Sequence, residues 1–261
     1  MQTLALEFVE SVIKISLNRP REFNALNDLM LNELMKVIEN VRNDRGVRAV
    51  VLTGNGRAFC YGLDAQEMSS LVDEADDSRI GALLKRYQSI ILALATLDRP
   101  VVAAINGFAT GAGLDLALAC DIRMAAEKVK LSSAYIKMGL IPDGGGTFFL
   151  PRIVGHGRAV EMIMRGTVLT AEEALGIGLV SAVRPADRLV EEALTLAREI
   201  ADGPTRAVAL AKQAVFANSS TDLAQALENE SRLQLQCFCS HDHAEAVTAL
   251  REKRAPRFKG N

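Results

Sequence analysis

The sequence predicts an α/β protein whose sheet is largely parallel. Apolar runs of strand length alternate with segments of helical period through the first two thirds of the chain. Some of those runs are apolar nearly throughout, as strands covered on both faces are. From residue 187 onward the pattern is helical, which adds a helical C-terminal region.

Taken in order, Leu4–Val9 and Val12–Leu17 are β-like runs separated by Glu10 and Ser11, so the chain opens with a hairpin. Asn18, Arg19 and Pro20 break the pattern. A helix over residues 27–41 follows, with Leu31, Leu34, Met35 and Ile38 on one face. After Asp44, Arg45 and Gly46 comes a buried strand over residues 49–53. The polar segment 64–78, with its acidic cluster at 73–77, predicts a mobile loop bordering an entrance. A helix over residues 80–97 leads to strands at Val101–Ile105 and Ile122–Ala126. In the C-terminal part Leu189, Ala193, Leu196 and Ile200 share a helix face, and Gly203 and Pro204 punctuate the next helix. That helix carries Val208, Ala211 and Val215, and helical pattern continues to about Arg251. The expected organisation is a core over residues 1–186 and a helical extension over 187–261.

The chain has 261 residues, near the upper limit for one hydrophobic core, and an apolar content of 49% that argues against disorder. A formal net charge of -2, without a Lys/Arg cluster interleaved with aromatics, speaks against nucleic acid as a partner. Cys60, Cys120, Cys237 and Cys239 lack zinc-site spacing and read as reduced thiols, and His156, His241 and His243 have no partners at metal-ligand spacing. No metal is expected. The apolar stretches are too short to span a bilayer, and residues 1–10 lack a basic start, so a cytoplasmic protein is expected.

Two short turns carry the chemistry: Phe59 to Asp64, and Gly107 to Asp115. Each presents backbone N–H groups suited to holding an anion. Gly111 and Gly113 open a helix in the second turn, and Gly62 bends the first. Asp115 and Asp143 are the acids available to move protons beside such a hole. Asp143 also suits the cap of a helix begun by Gly144, Gly145 and Gly146, and Asp115 suits a helix's first turn.

Asn18-Arg19-Pro20, Asn24-Ala25-Leu26, Phe59-Cys60 with Gly62 and Asp64, Gly107 to Asp121, and Ile141-Pro142 with Gly145-Gly146-Thr147 resemble the crotonase (enoyl-CoA hydratase/isomerase) superfamily. The resemblance runs nearly end to end. It implies a crotonase-like spiral of ββα units and a helical C-terminal region that covers the active site and builds homotrimers or hexamers. It also implies an acyl-CoA substrate, so coenzyme A enters only within the thioester and no separate cofactor is expected. The thioester oxygen would be held by the N–H groups of Leu63 and Ala112, with alanine standing where the family has glycine.

The two glutamates of the family's hydratases correspond to Asp115 and Tyr135. A tyrosine, with an ordinary pKa of about 10, cannot serve as a carboxylate base, so hydration is disfavoured. Asp143 stands where the family's isomerases carry an acidic residue. The resemblance therefore favours an enoyl-CoA double-bond isomerase in which Asp143 takes and returns a proton, aided by Asp115, in an apolar setting of Ile141, Phe148 and Phe149. Tyr135 would shape the acyl pocket beside Gly62 and Gly111. The CoA moiety would be met by Arg21, Phe23, Tyr61, Asp64, Phe258 and Lys259. The competing readings are hydration of 2-enoyl-CoA, nucleophilic attack on an aryl-CoA by Asp143, and a non-catalytic acyl-CoA-binding homologue.

Overall fold

The computed structural model describes residues 1–74 and 76–261, with side-chain surroundings described for all but 71–75. Its strands are β1 (Leu4–Val9), β2 (Val12–Leu17), β3 (Ala49–Gly54), β4 (Ala58–Cys60), β5 (Val101–Ile105), β6 (Phe108–Thr110), β7 (Ile122–Ala126), β8 (Lys130–Ser132), β9 (Val168–Thr170) and β10 (Ala182–Arg184). The helices are α1 (Asp28–Asn43), α2 (Ala65–Glu74), α3 (Asp77–Ala95), α4 (Ala112–Leu118), α5 (Gly146–Val154), α6 (His156–Arg165), α7 (Ala171–Gly176), α8 (Leu189–Ala201), α9 (Thr205–Asn218), α10 (Leu223–Phe238) and α11 (His241–Glu252).

Among the described residues the strands form two sheets, ordered β1-β2-β3-β5-β7-β10 and β4-β6-β8-β9. The N-terminal hairpin is antiparallel, and the pairs from β2 to β10 in the first sheet are parallel. Each of β3, β5 and β7 is followed by a three-residue strand that crosses to the second sheet. A ββα unit repeated along the chain thus stacks one sheet against the other, without any repeat in sequence. All five residues of β5 are buried, as the unbroken apolar run required. Each larger side chain buried there stabilises the fold by about 1.5–3 kcal/mol.

Helix α1 starts one residue later than expected because Asn27 is its cap, its side chain accepting the Met30 N–H at 2.9 Å. Segment 64–78 departs from its predicted loop. It contains α2 and the start of α3, apart from the part of that expectation that lies outside the described residues. Two acidic residues of that segment are helix starts: Asp64 Oδ1 accepts the Gln66 N–H at 2.9 Å, and Asp76 caps α3 through Ser78 and Arg79. The texture change at 187 is likewise no break in packing, since α8 lies on β2, β3, β5 and β7. Helical period alone does not reveal whether a helix covers a sheet or another helix.

The two catalytic-looking turns meet because α4 begins hard against β4. A Cβ on Gly113 would stand 2.0 Å from the Cys60 carbonyl oxygen, so only a residue without one fits. Gly113→Ala is expected to cost at least about 3 kcal/mol in urea unfolding. Gly157→Ala in α6, with open space around the added methyl, should stay within about 1 kcal/mol of wild type. Equal stability of the two variants would refute the close approach.

Candidate active site

The first turn places its donor by alternation along an extended segment. Leu63 forms an isolated parallel bridge with Leu26, in which Gly62 O accepts the Leu26 N–H at 2.7 Å and the Asp64 N–H donates to Leu26 O at 2.9 Å. The intervening Leu63 N–H faces the other way and meets no backbone acceptor among the described residues. Gly62 O, at the opposite end of the same peptide unit, is already hydrogen-bonded, which polarises that N–H further.

The second turn does the same with different geometry. Gly111 sits at φ 52° and ψ −125°, a conformation that demands glycine. Its carbonyl accepts the Leu114 and Asp115 N–H groups at 3.0 and 3.1 Å, so the Ala112 N–H of that peptide unit is a polarised donor at the first position of α4. The Cβ position of Gly62 lies 3.7 Å from Ala112 N, which brings both N–H groups to one corner of a cleft of about 720 Å³. That volume suits a small-molecule site.

Beside this corner three side chains from three elements converge. Asp115 comes from the first turn of α4, Tyr135 from the 3-10 turn Ala134–Met138, and Asp143 from the loop before α5. The Tyr135 hydroxyl is 2.8 Å from Asp115 Oδ2 and 2.8 Å from Asp143 Oδ1. Gly144 N–H donates to Asp115 Oδ2 at 3.1 Å. The glycine run is small for a packing reason: a Cβ on Gly144 would meet Tyr87 Oη at 2.4 Å, and one on Gly146 would meet Asp115 Oδ1 at 2.6 Å. Asp143 is half-buried and lines the cleft; Asp115 is fully buried and does not.

Burial pushes the Asp115 carboxyl up to about 7, helped by the charge of Asp143 and opposed by the Tyr135 hydroxyl and by the Gly144 and Gly146 N–H groups. Burial raises Asp143 as well, against the hydrogen bond from Tyr135. The Tyr135 phenol is driven far above its ordinary range by burial and by Tyr87 and the two acids, so it stays a neutral donor. Two proton-holding acids next to a pair of oriented N–H donors are the parts needed to form and quench an enolate.

A model of the enoyl-CoA hydratase/isomerase family matches residues 7–261. The chain belongs to that family. It is 38% identical to the 1,2-epoxyphenylacetyl-CoA isomerase of Escherichia coli K12, with each chain covered completely. It is 39% identical to the mitochondrial enoyl-CoA hydratase of Pongo abelii, over 94% of this chain and 82% of that one. The crystal structure of the enoyl-CoA hydratase from Bacillus anthracis superposes with a TM-score of 0.95 at 36% identity, covering both chains in full. The two-sheet spiral is therefore the crotonase fold, and the family acts on acyl-CoA.

Several residues expected to serve such an acyl-CoA enzyme share the cleft wall: Phe23, Tyr61, Gly62, Leu63, Asp64 and Gly111, with Ala112, Tyr135 and Asp143 beyond them. Asp64 spends its carboxylate on Arg19 at 2.9 Å and on the Gln66 N–H, so it braces the turn. Arg21 is exposed and off the wall. Phe258 and Lys259 are off it too: Phe258 O accepts from Arg48, and Lys259 N–H donates to the buried Asp242 at 2.7 Å, which pins the C-terminal tail elsewhere. Asp143 caps no helix, because α5 is entered through Gly145 at φ 86°. Ile141 is 75% exposed and neither Phe148 nor Phe149 lines the cleft; Leu83, Leu84, Tyr87 and Leu140 supply its apolar wall instead. Tyr87, whose Oη donates to Ala112 O at 2.6 Å, gave no sequence signal beyond a buried position on α3.

Among the described residues no cluster of potential metal ligands occurs, and no helix is long and apolar enough to cross a membrane.

The Asp115 carboxyl has a pH signature. Its folded-state value lies above that of an unfolded aspartate, so folded protein retains a proton that the unfolded chain has released, and stability falls as pH rises from about 4 to about 7. Asp115→Asn removes that loss. In urea titrations the variant should gain stability relative to wild type between about pH 5 and pH 8. A difference that does not change with pH would show the carboxyl to be ordinary.

Proposed function

We propose that this protein is an acyl-CoA double-bond isomerase with Asp143 as its proton carrier. The thioester oxygen accepts from the N–H groups of Leu63 and Ala112. Asp143 takes a proton from the acyl chain, the electron pair of the broken C–H bond moves onto that oxygen as an enolate, and the same carboxyl returns the proton at another carbon. Two fixed donors stabilise the developing charge by about 3 kcal/mol each.

The observation that carries the choice of isomerase is the position of the Tyr135 hydroxyl, 2.8 Å from each acid. A hydratase of this family would hold the water to be added between carboxylates at positions 115 and 135. Here position 135 carries a phenol hydroxyl, hydrogen-bonded to both aspartates, which is no base at neutral pH. The Escherichia coli relative carries an isomerase name, which agrees, whereas the Pongo abelii relative carries a hydratase name. Exposed apolar side chains on α10 and α11, among them Leu223, Leu235, Phe238 and Leu250, support assembly into the homotrimer or hexamer expected above.

The test supplies 3-enoyl-CoA and dienoyl-CoA and follows the conjugated products, with crotonyl-CoA as the hydration arm. Wild type should isomerise, and Asp143→Asn should lose about 10²–10⁴-fold in kcat. Efficient water addition to crotonyl-CoA without isomerisation would overturn the assignment, as would an Asp143→Asn variant of full activity.

A further inference from the structure

Resting on the isomerase reading above, we propose that the Tyr135 hydroxyl couples Asp115 to Asp143, so that buried Asp115 keeps a proton while Asp143 meets substrate as the ionised base. Tyr135 and Asp115 are then positioning residues, which act through Asp143.

A count of donors and acceptors carries this. A phenol hydroxyl has one proton to donate, and its oxygen accepts as well. With both acids ionised, one of them at 2.8 Å from Tyr135 Oη would face a lone pair, without a proton between. With one carboxyl proton added, the chain closes: Asp115 Oδ2–H donates to Tyr135 Oη, and Tyr135 O–H donates to Asp143 Oδ1. Asp115 Oδ2 still accepts from the Gly144 N–H in that arrangement.

A second, independent feature says which acid holds the proton. Asp115 Oδ1 is buried and accepts no well-aligned hydrogen bond among the described residues; the Gly146 N–H acts on this carboxyl without reaching full hydrogen-bond geometry. An ionised carboxylate would leave a charged oxygen there without a well-aligned donor, whereas the carbonyl oxygen of a neutral carboxyl is far less costly to leave so weakly met. Asp143, half-exposed in the cleft, keeps access to water and substrate. The other titratable groups around the pair are Tyr87 on α3 and Cys60 on β4, and burial keeps both protonated. Neither acid is ion-paired with a Lys or Arg among the described residues.

The device suits a base that must work twice. When Asp143 takes the substrate proton on Oδ2, the C–H bond breaks, an O–H bond forms, and the Tyr135 O–H stays on Oδ1. Returning the proton breaks that O–H bond and forms C–H at the second carbon. Asp115 and Tyr135 keep their protons throughout, and the charge on the trio changes only between one negative and none.

Infrared spectra of ligand-free protein at about pH 6 test where the proton sits, with no need for turnover. A buried protonated-carboxyl band should be present in wild type and Asp143→Asn and absent in Asp115→Asn. A band that vanishes with Asp143 instead, or no band in wild type, would overturn the proposal. The kinetic arm reads kcat/KM against pH. Tyr135→Phe removes a donor that holds the Asp143 carboxyl down, so the acid limb should move up by about one pH unit and kcat/KM on the acid side of the limb should fall about tenfold, with KM little changed. Asp115→Asn, whose amide N–H can donate to Tyr135 Oη, should leave the limb in place with a loss below about tenfold. An acid limb that stays put in Tyr135→Phe would also refute the coupling. Should no isomerisation occur on any substrate, the reaction assignment falls while the infrared result still decides the proton's place.

Discussion

The approach of α4 to β4 is the constraint on which the remaining geometry depends. Because Gly113 has no side chain, the start of α4 can lie against the Cys60 carbonyl, and two turns some fifty residues apart in sequence come to border one corner of the cleft. In the proposed reaction, the stabilisation of a developing negative charge rests on that contact. The N–H groups of Leu63 and Ala112 are aimed by backbone geometry and polarised by the hydrogen bonds at the far ends of their own peptide units. Side-chain identity at either position matters little to the donation, which is how alanine can stand at 112.

Burial then decides the acid–base chemistry. Asp115, Tyr135 and Asp143 come together from three elements, the last two on the cleft wall and Asp115 behind it, and Gly144 and Gly146 are small so that Tyr87 and Asp115 can press against the loop. In such surroundings ionisation is costly, and the least solvated acid is the one to keep a proton. A tyrosine between two carboxyls neutralises no charge, yet it supplies a donor to one and an acceptor to the other. This hydroxyl places a third oxygen, fixed to the protein, between the two acids.

Strands β3 and β5 are buried throughout and β7 over its last three residues, and each passes within a few residues into a short strand of the second sheet. The turns bearing Leu63, Ala112 and the Tyr135 segment all leave that second sheet from the same end. Site residues are thus carried on short connections between well-packed strands, the usual compromise between reach and precision.

The N-terminal hairpin, α1, β3, β5, β7 and the C-terminal helices were legible in the sequence, because each is long enough to show a period or an unbroken apolar run. So were the two glycine turns, and the family resemblance pointed to Asp143. Strands of three residues, such as β4, β6 and β8, show no period, and the acidic stretch before α3 looked like loop because capping residues and loop residues are the same types. That Phe258 and Lys259 lie away from the cleft, and that Asp115 lies behind Tyr135 instead of on the cleft wall, only tertiary structure decided. Sequence determines which groups can donate, accept or titrate, since that is a property of each residue. Which of them share a proton depends on separations of a few ångströms between distant segments and on how much water reaches each one, and packing alone sets both.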